Sequence, residues 1–264
     1  MIDLHAHLLP GVDDGPATMG DSVAMARAAW ESGTRTMVCT PHMIAGYPTD
    51  PPRVHSGVRD LAAALREAEI GLKVTTGAEI ALDHLPRMND ADLAMSTLGG
   101  RGEWLLLEMP FLGWPLRLGE ILRDLEIRGF RAILAHPERA DAIQRSPDRI
   151  RDVIGRGALV QLTAGSFLGD HGPAARRTAG ILLAGGAAHL IASDAHSAGP
   201  WRGPEIGPGL QAAADAIDVH PQTLSWMVDE GPAAILEGGQ VRPPRITSSR
   251  TPRGGGRPAP AGPR

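Results

Sequence analysis

His5, His7, His42, Glu79, Glu108, His136, Asp194 and His196 share one feature: each stands at or just past the end of a short apolar run. All are residue types that ligate divalent metals. In HAH the two histidines are two apart on an extended segment, so both side chains point to one side and can grip one ion. That spacing is commonplace on protein surfaces and carries little alone. Its support comes from SDAH, where Asp194 and His196 repeat it, from Glu79 in GAE, and from Glu108 after Leu105, Leu106 and Leu107. A carboxylate bordering such a run is costly to bury unpaired, whereas a divalent cation offsets that cost. A buried salt bridge could explain any one of these residues but is strained as an explanation of all. Imidazole and carboxylate ligands suit Mn, Zn, Fe or Co, and the lack of thiolates argues against a structural zinc site. The set is too large for one tetrahedral ion, which points to two or three divalent metals with Glu79 as the bridge.

The apolar runs cover residues 2–4, 36–39, 73–76, 104–107, 132–135, 159–162 and 189–192, giving seven strand candidates. Helical patterns fall between them at 18–31, 53–69, 119–128, 147–156, 174–184 and 204–216. Ser146 before Pro147 and Asp148 reads as an N-cap, and Gly33, Gly129, Gly157 and Gly185 as left-handed helix ends. Alternating strands and helices predict an α/β fold of parallel strands, either an open doubly wound sheet or a closed barrel. The carboxyl ends of parallel strands converge on one face, which would gather the scattered ligands into one cluster.

At 264 residues and 42% hydrophobic content, the chain is close to the ~250 residues usual for one (β/α) barrel. No stretch approaches the roughly 18–20 apolar residues of a membrane helix, and HAH begins at His5 with no room for a signal peptide before it, so the protein reads as cytoplasmic with no membrane insertion. The lone cysteine, Cys39 in TMVC, reads as a core residue, because CTPHM lacks the Cys-x5-Arg spacing of thiol phosphatases. Six arginines and no acids lie beyond Gln240, so the body is more acidic than the net charge of −4 suggests. It offers no broad basic surface for nucleic acid. Residues 1–240 read as the catalytic domain and 241–264, rich in Arg, Pro and Gly, as a disordered tail.

Six ordered motifs carry a resemblance: MIDLHAHLLPGVDDGP, TPH at 40–42, GAEI at 77–80, AHPER at 135–139, QLTAGS at 161–166 and ASDAH at 192–196. Together they resemble the polymerase-and-histidinol-phosphatase (PHP) superfamily, in particular its bacterial tyrosine-phosphatase branch of capsule and exopolysaccharide regulation. The resemblance implies a distorted seven-stranded (β/α) barrel of the PHP type with a trinuclear centre, commonly manganese. It implies one metal on His5, His7, Glu79 and Asp194, a second on Glu79, Glu108 and His136, and a third on Asp14, His42 and His196. Asp14 enters only through the resemblance, and Asp13 is left as a turn residue. Arg139 and Arg202 resemble phosphate clamps, since forked guanidinium donors match phosphate oxygens in pairs. The implied reaction is in-line attack of metal-activated water on phosphorus, with His42 or a second water protonating the leaving oxygen.

The implied substrate is phosphotyrosine on the tail of a bacterial tyrosine kinase of the polysaccharide-export pathway. Rival readings are a small-molecule phosphatase acting on a compound such as histidinol phosphate, an amidohydrolase, and a non-catalytic metal-binding barrel. The amidohydrolase reading needs a bridging lysine, and Lys73, the only one, sits at the start of its strand. Two departures bear on the substrate: MIAGYP follows His42 where relatives often carry basic residues, and Ala140 follows HPER where they usually carry an aromatic. His55, His84, His171, His189 and His220 read as surface or packed residues.

Overall fold

In a computed structural model, residues 1–47, 49–239 and 241 are described. Of the expected tail, residues 242–264 lie outside the described residues.

Among the described residues there are nine strands: β1 (Ile2–Ala6), β2 (Thr36–Cys39), β3 (His42–Met43), β4 (Lys73–Thr76), β5 (Glu79–Ala81), β6 (Trp104–Glu108), β7 (Arg131–Ala135), β8 (Leu159–Thr163) and β9 (Leu190–Ala192). Every pairing between them is parallel, in two sheets of order β1-β2-β4 and β3-β5-β6-β7-β8-β9. The seven apolar runs are all strands. The two additional ones, β3 and β5, follow β2 and β4 after breaks of two residues at the same level. Pro41 has no N–H to donate to a ladder. In the neighbouring break, Gly77 is pressed so close that a Cβ there would stand 2.7 Å from Val38 and 2.9 Å from Leu98. The sheets approach each other where Ala6 bridges Ala195, the Asp194 N–H donates to His5 O (2.9 Å) and the His7 N–H donates to Ala195 O (2.8 Å).

Helices fill the connections: α1 (Met19–Glu31), α2 (Pro51–Glu67), α3 (Asp90–Ser96), α4 (Leu118–Ile127), α5 (Asp141–Arg145), α6 (Ile150–Ile154), α7 (Ala164–Leu168), α8 (Gly172–Ala184), α9 (Ile206–Ile217) and α10 (Glu230–Leu236). Helix α1 opens on a capping box in which Thr18 and Asp21 exchange hydrogen bonds. Two local expectations fail. Ser146 makes no side-chain cap; it closes α5 instead, its N–H donating to Ala142 O. Gly185 ends α8 at φ −78°, and the left-handed turn is made one residue later by Gly186 at φ 65°.

Period-two alternation splits the strand side chains between two hydrophobic clusters. Leu105, Leu107 and Leu134 belong to the larger one, shared with the helices, whereas Leu4, Trp104, Leu106, Ile133, Leu159 and Leu190 form the smaller. The second alternation continues upward into polar residues: Glu108 stands two beyond Leu106, and Gln161 two beyond Leu159. In β1 a register irregularity between Asp3 and Ala6 interrupts the alternation, so that Leu4 and His5 both face inward.

Candidate metal centre

The strand ends bring the predicted ligands together in three overlapping groups: His5, Glu79, His136 and Asp194; His7, Asp14, His42 and His196; and His42, Glu79 and Glu108. Within each group the donor atoms lie within 4.8 Å of one another. The grouping is not the expected partition: His136 stands in place of His7 beside His5, Glu79 and Asp194, His7 joins Asp14, His42 and His196, and His42 also reaches Glu79 and Glu108. The expected first set is nevertheless tight. His5 Nε2 lies 3.3 Å from His7 Nε2, 3.4 Å from Glu79 Oε2 and 3.3 Å from Asp194 Oδ1, while His7 Nε2 lies 3.3 Å and 3.4 Å from the same two oxygens. A tetrahedron's edge is about 1.6 times its centre-to-corner distance, so ligands about 2.0–2.1 Å from an ion stand about 3.3–3.4 Å apart. These five separations have that spacing.

Ring orientation supports the same reading. His5 Nδ1 donates to Gln161 Oε1 (2.8 Å), His7 Nδ1 to Asp13 Oδ2 (2.7 Å) and His196 Nδ1 to the Asp194 carbonyl (2.9 Å). Each bond fixes a tautomer whose Nε2 lone pair faces the centre. His136 and Asp194 sit in left-handed backbone, at φ 32° and 53°. Such strain, imposed immediately after β7 and β9 on non-glycine residues, is characteristic of functional sites.

The electrostatics are those of a cation site. Burial is the largest single influence and pushes the Glu79 and Asp194 carboxyls up, but the charges of His5 and His136 together with hydrogen bonds from the neighbouring imidazoles outweigh it, and both are held well below the ordinary carboxylate range. Glu108 moves the other way: burial, then the charge of Glu79, raises it to about 7. His136 is pushed down to about 4 by burial and by Arg139. Glu79 Oε2 and His42 Nδ1 are buried without a hydrogen bond although only 2.9 Å apart. Crowded carboxylates, misdirected donors and tetrahedral spacing all fit divalent ions.

Arg139 Nη1 contacts Asp194 Oδ2 at 2.5 Å, and Arg202 contacts His196 Nε2 at 2.5 Å and Asp14 Oδ2 at 3.2 Å, so both guanidinium groups border the cluster. Lys73 is exposed at the start of β4, at the end of that strand away from β5, which carries Glu79. Cys39 is buried, its thiol pushed up by burial, as expected of a core residue.

A family model described as capsular polysaccharide synthesis, CpsB/CapC, matches residues 1–233. The chain belongs to the CpsB/CapC family. It is 34% identical over 198 residues to tyrosine-protein phosphatase YwqE of Bacillus subtilis, covering 75% of this chain and 78% of that one. It is 27% identical over 205 residues to tyrosine-protein phosphatase CpsB of Streptococcus pneumoniae, covering 75% and 83%. Among solved structures, one described with YwqE and CpsB as unique metal-dependent tyrosine phosphatases superposes with a TM-score of 0.81 at 27% identity, over 95% of this chain and 100% of that one.

In this CpsB/CapC protein several residues at the centre escaped the reading of the sequence. Asp13 is a turn residue, accepting from Gly15 N, but its other oxygen takes both His7 Nδ1 and the His42 N–H (3.1 Å). Gln161 occupies the one strand end that offered no ligand, and it orients His5 instead. Asp3 accepts from Ser193 Oγ (2.5 Å) and tethers β1 to the SDAH segment. Phe111 packs its ring on His136 (centroids 5.8 Å apart) with Arg139 above it (4.8 Å). Asp13 was signalled by its neighbour Gly15; Phe111 had no local signal. Of the histidines set aside, His171 is pushed down to about 4, by burial first and then by the charge of Arg139. His55 and His189 are packed on backbone partners as expected.

Proposed function

We propose that this protein is a divalent-metal-dependent protein-tyrosine phosphatase, hydrolysing phosphotyrosine on a bacterial tyrosine kinase of polysaccharide export in the cytoplasm. The observation that carries the reading is the tetrahedral spacing of His5, His7, Glu79 and Asp194 beside two arginines. The names of the relatives support the substrate class. Among the described residues no helix is long and apolar enough to cross a membrane.

His5, His7, Glu79 and Asp194 would hold one ion, Glu79, Glu108 and His136 a second, and Asp14, His42 and His196 a third, with manganese as the proposed metal. Bound there, the ions would polarise phosphoryl oxygens and bring water into the range of a nucleophile at neutral pH. Arg139 and Arg202 approach through different ligands and keep further N–H donors for phosphate oxygens, which favours the charge of the transition state. His42, with its side chain 13% exposed, is the most accessible of the five clustered imidazoles. His42, while not ligating the third ion, or a second water would protonate the leaving oxygen. A tyrosyl oxygen, with a pKa of about 10, needs less of that help than an aliphatic alkoxide.

The two sheets belong, in this reading, to one distorted seven-stranded (β/α) barrel in which β2 with β3 and β4 with β5 are single interrupted strands. The matching breaks and the Ala6–Ala195 bridge support it. Residues 1–240 form the catalytic unit. Manganese-loaded protein is expected to release phosphate from p-nitrophenyl phosphate and from phosphotyrosyl peptides, and Asp194→Asn or His136→Ala to abolish both. Faster turnover of histidinol phosphate than of the peptides would overturn the substrate.

A further inference from the structure

A cavity of about 640 Å³ opens beside the metal cluster, walled by Ile44, Leu82, Met109, Pro115, Leu116 and Ile121. Glu108, at the carboxyl end of β6, lines it too, so groove and cluster share a residue and are continuous. One wall is the segment between β6 and α4, which exposes Phe111 (42%), Leu112 (79%) and Leu116 (93%). Scattered exposed leucines mean little, but here three large exposed apolar residues fall in one short connection beside the cavity, which Leu116 itself lines. Two other exposed large apolar residues, Leu168 and Trp201, also follow strand carboxyl ends. The wall is held in place: the Asp141 N–H donates to Phe111 O (2.9 Å), and the Gly113 N–H donates to Asp141 Oδ1 (2.8 Å).

We propose that this groove docks the polypeptide of the substrate and selects phosphotyrosyl segments whose neighbouring residues carry large apolar side chains. The inference rests on the phosphatase reading above. An occupant must carry a phosphoester to the arginines and, one or two residues away, apolar bulk to the groove, and an extended peptide meets both demands. The cavity lies in the size range of sites for compact ligands and has room for more than one side chain. Its walls are mostly apolar, with Asp83, Glu108 and Arg117 also lining it, and so reward burial of Leu or Ile over a small polar side chain.

The test uses the manganese-loaded full chain and two phosphotyrosyl peptides of equal length and charge, with Leu or Ser on both sides of the phosphotyrosine. The Leu peptide is expected to have a KM lower by about tenfold, the effect of burying one apolar side chain in part. Leu116→Ser and Ile44→Ser should each shrink that preference to within about twofold and leave kcat/KM for p-nitrophenyl phosphate unchanged. Equal KM for the two peptides, or a preference that survives both substitutions, would overturn the groove while p-nitrophenyl phosphate turnover continues. Absence of p-nitrophenyl phosphate turnover would instead strike down the phosphatase reading itself. Sedimentation distinguishes the remaining occupant: a wild-type dimer that Leu116→Ser dissociates, with peptide preference unaltered, would make the groove a contact between copies and overturn the proposal.

Discussion

Asp13→Asn separates a ligand's chemistry from its orientation. The Asp13 side chain is fully buried, and its two oxygens serve three donors: His7 Nδ1 at 2.7 Å and His42 N at 3.1 Å on one, Gly15 N at 3.0 Å on the other. Asparagine is nearly the same shape but offers one acceptor oxygen. If that oxygen stays with the histidines, the new amide NH2 faces the Gly15 N–H; if it turns, two N–H groups point at a donor. The surviving bond to His7 also loses its charge assistance, which roughly halves its strength. Removing such an orienting partner typically weakens metal binding by about 10- to 100-fold, or about 1.4–2.8 kcal/mol. Activity on p-nitrophenyl phosphate, titrated against chelator-buffered manganese, should therefore show a half-activation concentration raised by that factor. Turnover at saturating metal should be within about threefold of the wild type, since no ligand atom has been removed. An unchanged half-activation concentration, or a loss that excess manganese does not restore, would refute the orientation argument.

Gly15→Ala should reproduce part of that defect, because its Cβ would stand 2.5 Å from His7 O; manganese titration together with a melting curve reads it. Arg139→Lys, which replaces a forked donor by a point charge, should raise KM for p-nitrophenyl phosphate by about tenfold, with weaker inhibition by inorganic phosphate in the same steady-state assay. His189, buried and accepting the Val160 N–H on Nδ1, is pushed down to about 4 by burial. Its neutral form is favoured by folding, so this contribution to stability is complete above pH ~6.5 and is lost as the pH falls toward about 4, a change of about 3 kcal/mol. His189→Gln should therefore flatten the dependence of the urea midpoint on pH across that window, and an unaltered slope would count against the assignment. Truncation after Gln240 should leave p-nitrophenyl phosphate turnover intact, and a large loss would assign the remaining residues to the site.

That His5, His7, His42, Glu79, Glu108, His136, Asp194 and His196 would gather was legible in the sequence, because residue type is local and position at a strand end follows from local apolar runs; Asp14, in a loop, had no such signal. The α/β order and most helix limits were legible for the same reason: alternation and helical periodicity are read within a dozen residues. Ser146 and Gly185 show the limit of that reading: Ser146 closes the helix before it instead of capping the one after it, and the left-handed turn falls on Gly186, one residue beyond Gly185. Tertiary structure alone decided which donors meet. His5 is oriented by Gln161, 156 residues away, and Asp3 is bound by Ser193, 190 residues away. It also decided that Pro41 and Gly77 break two strands at one level, and that Phe111 lies against His136. Tautomer, register across a break and the packing of a loop depend on groups that become neighbours only when distant segments fold together, and no local pattern records such contacts.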